Sequence, residues 1–405
     1  VKAKGVAVVQ VNRFLAESAQ ERGDAADLVF AQLARQLHDV DPSVIRWRDR
    51  GFKVKFVGEA SDDYGGPYRE AITNCCAELQ SKASPLLVLS PNGQAGLGSN
   101  QASWCMRPGA TSAEQLQQGF FLGQLMGCAL LQTQMVLDLE LCPHVWKRLA
   151  GTQLDEADLA SFDEAQANSL RWMRSCDVTD GVDEDSFGDI IFDNFEATLS
   201  DGSSRELIEE GSATPVTFGT RHRFARLAVA ARLREGAVQC DAILSGLHAV
   251  VPCARLLQLM SGRELQLLVC GEADVDLGTL RKHTKYGAGV LESQPHVRLF
   301  WDALRSFTPE ERRLFLTFVW GRNRLPLTEQ DWGDTVMRVH ELNTAQLRGS
   351  ADQFFPVSHT CFFSIEWPAY SSASIARDRL LYAIRNCRSI DADNTTEARG
   401  NAALR

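Results

Sequence analysis

Apolar residues recur every three or four positions over most of this chain and alternate with polar ones in only a few short runs. The first pattern marks amphipathic helices, the second half-buried strands. Phe30, Leu33, Ala34 and Leu37 share one helical face, so residues 1–50 read as helical. Phe52-Lys53-Val54-Lys55-Phe56 alternates and predicts a strand, and Leu86-Leu87-Val88-Leu89 predicts a short buried one that stops at Pro91-Asn92-Gly93. Helices are expected over 113–138 and 155–174, and the apolar pattern returns over 221–260. Ser261-Gly262-Arg263-Glu264 and Thr308-Pro309-Glu310-Glu311 each set a hydroxyl at the N-cap and Glu three residues on, the signature of a helix start. Phe363, Ile365 and Trp367 alternate with Phe362, Ser364 and Glu366, which predicts a strand ending at Pro368. A last helix carries Ala373, Ala376, Leu380, Ile384 and Cys387 on one face.

Several stretches depart from these patterns. The longest apolar run, Phe120 to Leu141, is interrupted by Gln124, Gln132, Gln134 and Asp138. A membrane span needs about 20 mostly apolar residues, so this run reads as a buried helix and no membrane insertion is expected. The Gly-rich stretch 93–99 completes neither GxGxxG nor GK[ST] and reads as a loop. In Lys285-Tyr286-Gly287-Ala288-Gly289, two glycines in three residues tolerate most backbone angles and suggest a point where the chain can swing. The tail 391–405 is polar and reads as flexible. The chain opens on Val with no charged-then-apolar leader, and is taken as a piece of a longer protein.

Charge sharpens the picture. The net charge of −10 argues against a nucleic-acid partner. It is unevenly spread: residues 151–215 hold 17 Asp+Glu against Arg171, Arg174 and Arg205, while the remainder sums to +4. That stretch is either a solvated insertion or a docking module for a basic partner. Eleven cysteines, with no CxxC pair and no HExxH, suit a reducing, cytoplasmic compartment, and no structural metal is expected. Only eight lysines occur; the last is Lys285, and 14 Arg but no Lys follow it.

One cysteine stands apart. Cys361 lies at a loop-to-strand junction, after Pro356 and two residues from His359. Exposure and a nearby imidazole are compatible with a reactive thiolate, although His-Thr-Cys by itself is more often ordinary structure. The other cysteines mostly fall within apolar patterns and read as small core residues.

Val357-Ser358-His359-Thr360-Cys361-Phe362, followed by Pro368-Ala369-Tyr370-Ser371-Ser372, resembles the C-terminal signature of HECT-type ubiquitin-protein ligases. Three more segments look like that family and arrive in its order: Gly65–Glu70, Gly262–Leu265 through Gly271, and Ser306–Arg312 through Phe318-Val319-Trp320-Gly321. The likeness covers roughly residues 45–390. The run Tyr382–Asp391 looks most like the giant members that also carry RCC1-like repeats, the HERC class.

The resemblance implies an α+β, bilobal fold. A mainly helical N-lobe would span 1–285, with the acidic subdomain 151–215 docking the ubiquitin-conjugating enzyme. A hinge would lie at 286–292 with Gly287 and Gly289, followed by a small α/β C-lobe at 293–390 and the tail. It further implies that Cys361 accepts ubiquitin as a thioester and passes it to a substrate lysine, with His359 and Thr360 shaping the thiol's surroundings. Leu170, Trp172, Met173 and Phe195 are the candidates for gripping the conjugating enzyme. Conjugating enzyme, ubiquitin and protein substrate are the implied partners, and no metal or organic cofactor is implied. The resemblance is weakest at the end. Phe355 replaces the family's usual Leu, and the tail lacks an aromatic residue, with only Asp391 and Asp393 as nearby acids. The alternatives are a degenerate module that binds conjugating enzyme or ubiquitin without transfer, and a cysteine hydrolase needing a base and an orienting group.

Overall fold

The computed structural model describes residues 7–46, 51–58, 66–132, 135–251, 254–272, 274–322, 324–326, 328–342 and 350–386. The tail 391–405 and Cys387 lie outside them. Among the described residues the fold is α+β: many helices and four small sheets. β1 (Ala7–Val11) pairs in parallel with β2 (Phe52–Phe56). β3 (Leu87–Leu89) and β4 (Trp104–Met106) are antiparallel, as are β5 (Glu196–Thr198) and β6 (Ser204–Glu206). The fourth sheet combines β7 (Thr284–Tyr286), β8 (Met337–Glu341), β9 (Val357–His359) and β10 (Ser364–Trp367) in the order β7-β8-β10-β9. No helix among the described residues is long and apolar enough to cross a membrane.

Among the described residues, two large hydrophobic cores follow one another along the chain. The first gathers residues from Val9 to Cys270, the second from Val275 to Ile384. In the first, the helices Ala113–Leu131 and Ala237–Val250 cross closely. Gly119, Gly123 and Gly127 fall four residues apart and so share one helical face. A Cβ at Gly123 would lie 1.8 Å from the Ile243 carbonyl oxygen, and one at Gly246 1.8 Å from that of Phe120. The helices therefore meet backbone to backbone, which only glycine allows.

Two boundaries differ from the sequence reading. Residues 7–11 form a strand, not part of a helix, because Val9 and Val11 bury one side of a β-branched run against β2. The helix expected to reach 138 ends at Leu131: Gln132 turns extended (φ −107°, ψ 110°), and the chain beyond bonds sideways, Leu137 N–H to Val269 C=O and Trp104 N–H to Glu140 C=O.

The second core is aromatic. Phe300 packs edge-on against Trp301, Phe315 and Trp367, while Trp320 stacks on Phe363 with ring centroids 4.3 Å apart. The Gly287/Gly289 segment belongs to this core. β7 is the edge strand of its sheet, Gly287 N–H donates to Val339 C=O at 2.9 Å, and Val290 is buried there. A Cβ on Gly287 would fall 2.4 Å from His340 Nδ1. The start of the hinge expected at 286–292 is thus bonded into the sheet, while the first core ends at Cys270, next to Gly271 at φ 72°, ψ −177°, and the second begins at Val275. Across the junction the buried Arg324 guanidinium bonds Asp138 (3.3 Å), Glu140 (2.8 Å) and the Gly271 carbonyl (3.1 Å), and Arg313 reaches Glu140 at 2.9 Å.

Candidate functional site

The site grows out of the β9–β10 hairpin. The two strands are antiparallel, with His359 opposite Ser364 and Val357 opposite Glu366. Thr360–Phe362 makes a single 3-10 turn between them, so Cys361 stands at the tip of a tight loop on a rigid sheet. The Cys361 side chain lies outside the described residues. Phe363 closes the turn with φ 47°, ψ 57°, a left-handed conformation that costs a bulky L-residue roughly 1–2 kcal/mol. Burial of its ring against Trp320 offsets that cost, and its carbonyl accepts from Arg338 N–H at 2.9 Å. The aromatic core therefore fixes the backbone immediately after the cysteine, while Phe362 beside it stays 69% exposed.

His359 and Glu366 are diagonal neighbours on one face of the hairpin, and His359 Nε2 meets Glu366 Oε1 at 3.1 Å. That hydrogen bond, with further attraction from the His359 and His340 rings, holds the Glu366 carboxyl below its usual range. Sequence reasoning missed Glu366 as a partner; the signal was its alternation in the 362–367 run. Thr360 is half-buried in the turn and its carbonyl accepts from Phe363 N–H at 3.3 Å.

The acidic segment forms the helices Glu156–Phe162, Glu164–Ser175 and Phe187–Ile190, and the β5–β6 hairpin. Arg232 pins it from beneath, bonding Asp163 Oδ2 (2.8 Å), the Thr198 carbonyl (2.8 Å) and Ser200 Oγ (3.2 Å). Leu170, Met173 and Phe195 prove to be core residues: each is at most 3% exposed, and Phe195 meets Phe224 edge-on at 5.6 Å. Helical spacing alone could not separate their buried side from the exposed one. Trp172 does reach the surface, at 38% exposure. Ile190 and Phe192, which sequence reasoning passed over, are also exposed, Phe192 by 82%. Beside them opens a cleft of about 340 Å³ lined by Glu184, Phe187, Asp193 and Phe218.

The eight cysteines with described side chains are all buried free thiols, and burial raises those of Cys128, Cys240 and Cys270 to about 12. This matches their reading as core residues.

The chain belongs to the HECT-domain (ubiquitin-transferase) family, whose profile it matches over residues 73–392. Among curated relatives it is 35% identical to human E3 ubiquitin-protein ligase HERC2 over 397 residues, 96% of this chain and 8% of that protein. It is 30% identical to the human probable E3 ubiquitin-protein ligase HECTD4 (88% of this chain, 10% of that protein) and to mouse E3 ubiquitin-protein ligase HECW1 (82% and 20%). The chain thus spans a small part of the relatives it matches.

Proposed function

We propose that this chain is the transferring domain of a ubiquitin-protein ligase and that Cys361 carries the ubiquitin. The observation that carries the reading is the position of Cys361 in the tight β9–β10 turn of a HECT-family chain. The Cys361 thiolate attacks the thioester carbonyl that joins ubiquitin to the conjugating enzyme. A new C–S bond forms, the old one breaks, and the enzyme's thiolate leaves. Thioester replaces thioester, so the step is close to energetic balance and chiefly needs positioning. A substrate lysine amine then attacks, an isopeptide bond forms and Cys361 is released. His359, held by Glu366, lends polarity at the base of the turn.

The two cores act as the two lobes. The pivot falls before β7, at Gly271 after the first core's last residue, because β7 and Gly287 are bonded into the second core's sheet. The conjugating enzyme docks on the acidic segment through exposed Trp172, Ile190 and Phe192, with the surrounding carboxylates steering a basic partner. A cytoplasmic setting, where thiols stay reduced, suits the buried free cysteines.

The test mixes the chain with ubiquitin-charged conjugating enzyme. A ubiquitin adduct cleaved by thiol reductant is expected, absent in Cys361→Ala and converted to a reductant-resistant oxyester in Cys361→Ser. An adduct of unchanged yield in Cys361→Ala would overturn the assignment. Binding without any adduct would select the non-transferring module.

A further inference from the structure

We propose that Cys105, Cys142 and His144 form a buried zinc site that clamps β4 to the start of the helix Pro143–Leu149. The three residues lie far from the β9–β10 turn in the chain and play no part in the transfer chemistry. Their ligand atoms all fall within 4.8 Å of one another, and all three side chains are buried. The two sulfurs are 3.3 Å apart. His144 Nδ1 is buried with no hydrogen-bond partner, and the ring rests against Phe162 at 4.1 Å between centroids. A buried polar nitrogen without a partner calls for an explanation, and an ion is one.

The backbone builds this juxtaposition. Trp104 bridges Leu141, and Cys142 N–H donates to the Trp104 carbonyl at 2.9 Å, so the next residue of β4 faces the residue that caps the helix. His144 follows one position beyond Pro143, in the first turn. The sequence reading expected no metal because no CxxC pair exists. Here the ligands are joined across 37 residues by strand pairing, which spacing cannot show.

The chemistry selects zinc. Two thiols and an imidazole are a soft donor set of the Cys2His kind that zinc accepts. The imidazole gives its lone pair in the neutral form. On binding, each thiol forms a Zn–S bond and loses its proton to solvent. Two thiolates then balance the dication, and a neutral cluster is the least costly form in a dry interior. Arg232 and Glu235 are mutually paired at 3.1 Å. Three protein ligands leave the fourth tetrahedral position to a small solvent ligand.

Distances favour a metal over a disulfide. Zn–S bonds of about 2.3 Å at a tetrahedral angle set two sulfurs about 3.8 Å apart, an opening of roughly half an ångström. A disulfide at about 2.05 Å would need more than twice that movement, inward, and a two-electron oxidant.

The test unfolds the 405-residue chain with chelator and reductant, then refolds it with one equivalent of zinc or with chelator alone. One bound zinc per chain after desalting is expected, with Tm about 5 °C or more above the chelated sample. Cobalt in place of zinc is expected to give thiolate charge-transfer absorption. The double variant Cys105→Ser with Cys142→Ser should lose both signals. His144→Gln, which keeps the thiols, should weaken metal binding at least tenfold. The proposal is overturned if the wild-type chain retains no metal and shows no cobalt–thiolate band. It also fails if the double variant, folded by circular dichroism, keeps its zinc, or if the intact mass is lower by two hydrogens, the mark of a disulfide. If the double variant does not fold, the wild-type cobalt spectrum and His144→Gln still decide.

Discussion

The two cores obey opposite rules. Where the Ala113–Leu131 and Ala237–Val250 helices cross, shape is set by what is missing: Gly123 and Gly246 have no side chain, and carbonyl oxygens fill the space. Around the β9–β10 turn, shape is set by what is added: the Phe363 ring, stacked on Trp320, holds a backbone conformation that a free chain would avoid. The first region is a fixed platform of local helices. The second spends packing energy to present one residue at a turn. On the transfer reading proposed above, the residue at the turn needs a fixed backbone and its support a fixed platform.

The largest expected effect breaks the first rule. Gly123→Ala would push a methyl to 1.8 Å from the Ile243 carbonyl, with backbone on the far side and nothing flexible to yield. The expected cost is more than about 3 kcal/mol, read as failure to fold or a steep fall in the denaturant midpoint. Gly119→Ala, one turn earlier on the same face, meets the Ala242 Cβ at 3.4 Å. There, the higher helix propensity of alanine, up to about 1 kcal/mol, should leave stability level or improved. Equal losses at the two positions would show that close backbone approach is not what shapes this crossing.

Next comes the second rule. Phe363→Ala should cost about 2–4 kcal/mol, since the ring is lost while alanine still bears the left-handed backbone. Phe363→Gly loses the same ring but relieves the backbone, and should be less destabilised than Phe363→Ala by about 1 kcal/mol. Thermal unfolding of the pair checks the ordering. Glycine equal to or worse than alanine would mean that the turn carries no conformational cost.

Much of this was legible in the chain, for reasons that differ by region. Capping boxes at Ser261/Glu264 and Thr308/Glu311 are local, and both helices start where those residues placed them. The β10 alternation was equally readable, because one face packs on Trp320, Phe300 and their neighbours. What resisted was anything decided by a partner distant in sequence. β1 forms only because β2 lies beside it, and Gly287 looked like a swivel because nothing local reveals its bond to Val339. Leu170, Met173 and Phe195 were misplaced for the same reason: an apolar residue on an acidic segment reads alike whether it meets a partner or its own core. The glycine stripe 119/123/127 was visible as a four-residue repeat but was overlooked within an apolar run.

A smaller effect separates the cores by pH. Glu78 is buried in the first core, where its two oxygens accept from Val29 N–H (2.8 Å) and Phe30 N–H (2.9 Å) at the start of the Val29–Leu37 helix. Burial outweighs those bonds and raises the carboxyl to about 7. A raised acid holds its proton more tightly folded than unfolded. Its contribution to stability is therefore full below about 4.5 and is lost as pH rises through about 7. Glu78→Gln should flatten the stability profile in that window, whatever its offset. A wild-type slope that survives in the variant would assign the titration elsewhere.

The smallest effect lies at the second core and has the opposite sign. Hydrogen bonding to His359 lowers the Glu366 carboxyl, so its contribution is present above the unfolded value near 4.5 and fades as pH falls through the lower folded value. The pair is partly exposed and screened, so Glu366→Gln should cost under about 1 kcal/mol at pH 7. Glutamine keeps an oxygen for the ring but not the charge. The gap between wild type and variant should close on acidification toward pH 3, while the Glu78 pair diverges in its own window and not in this one. Chemical denaturation of both variants across pH 3–8 reads the two slopes side by side. If the Glu366 gap widened in acid, the carboxylate beneath the turn would be stabilised by something other than the imidazole, and His359 would lose its place as the group that ties Cys361's hairpin together.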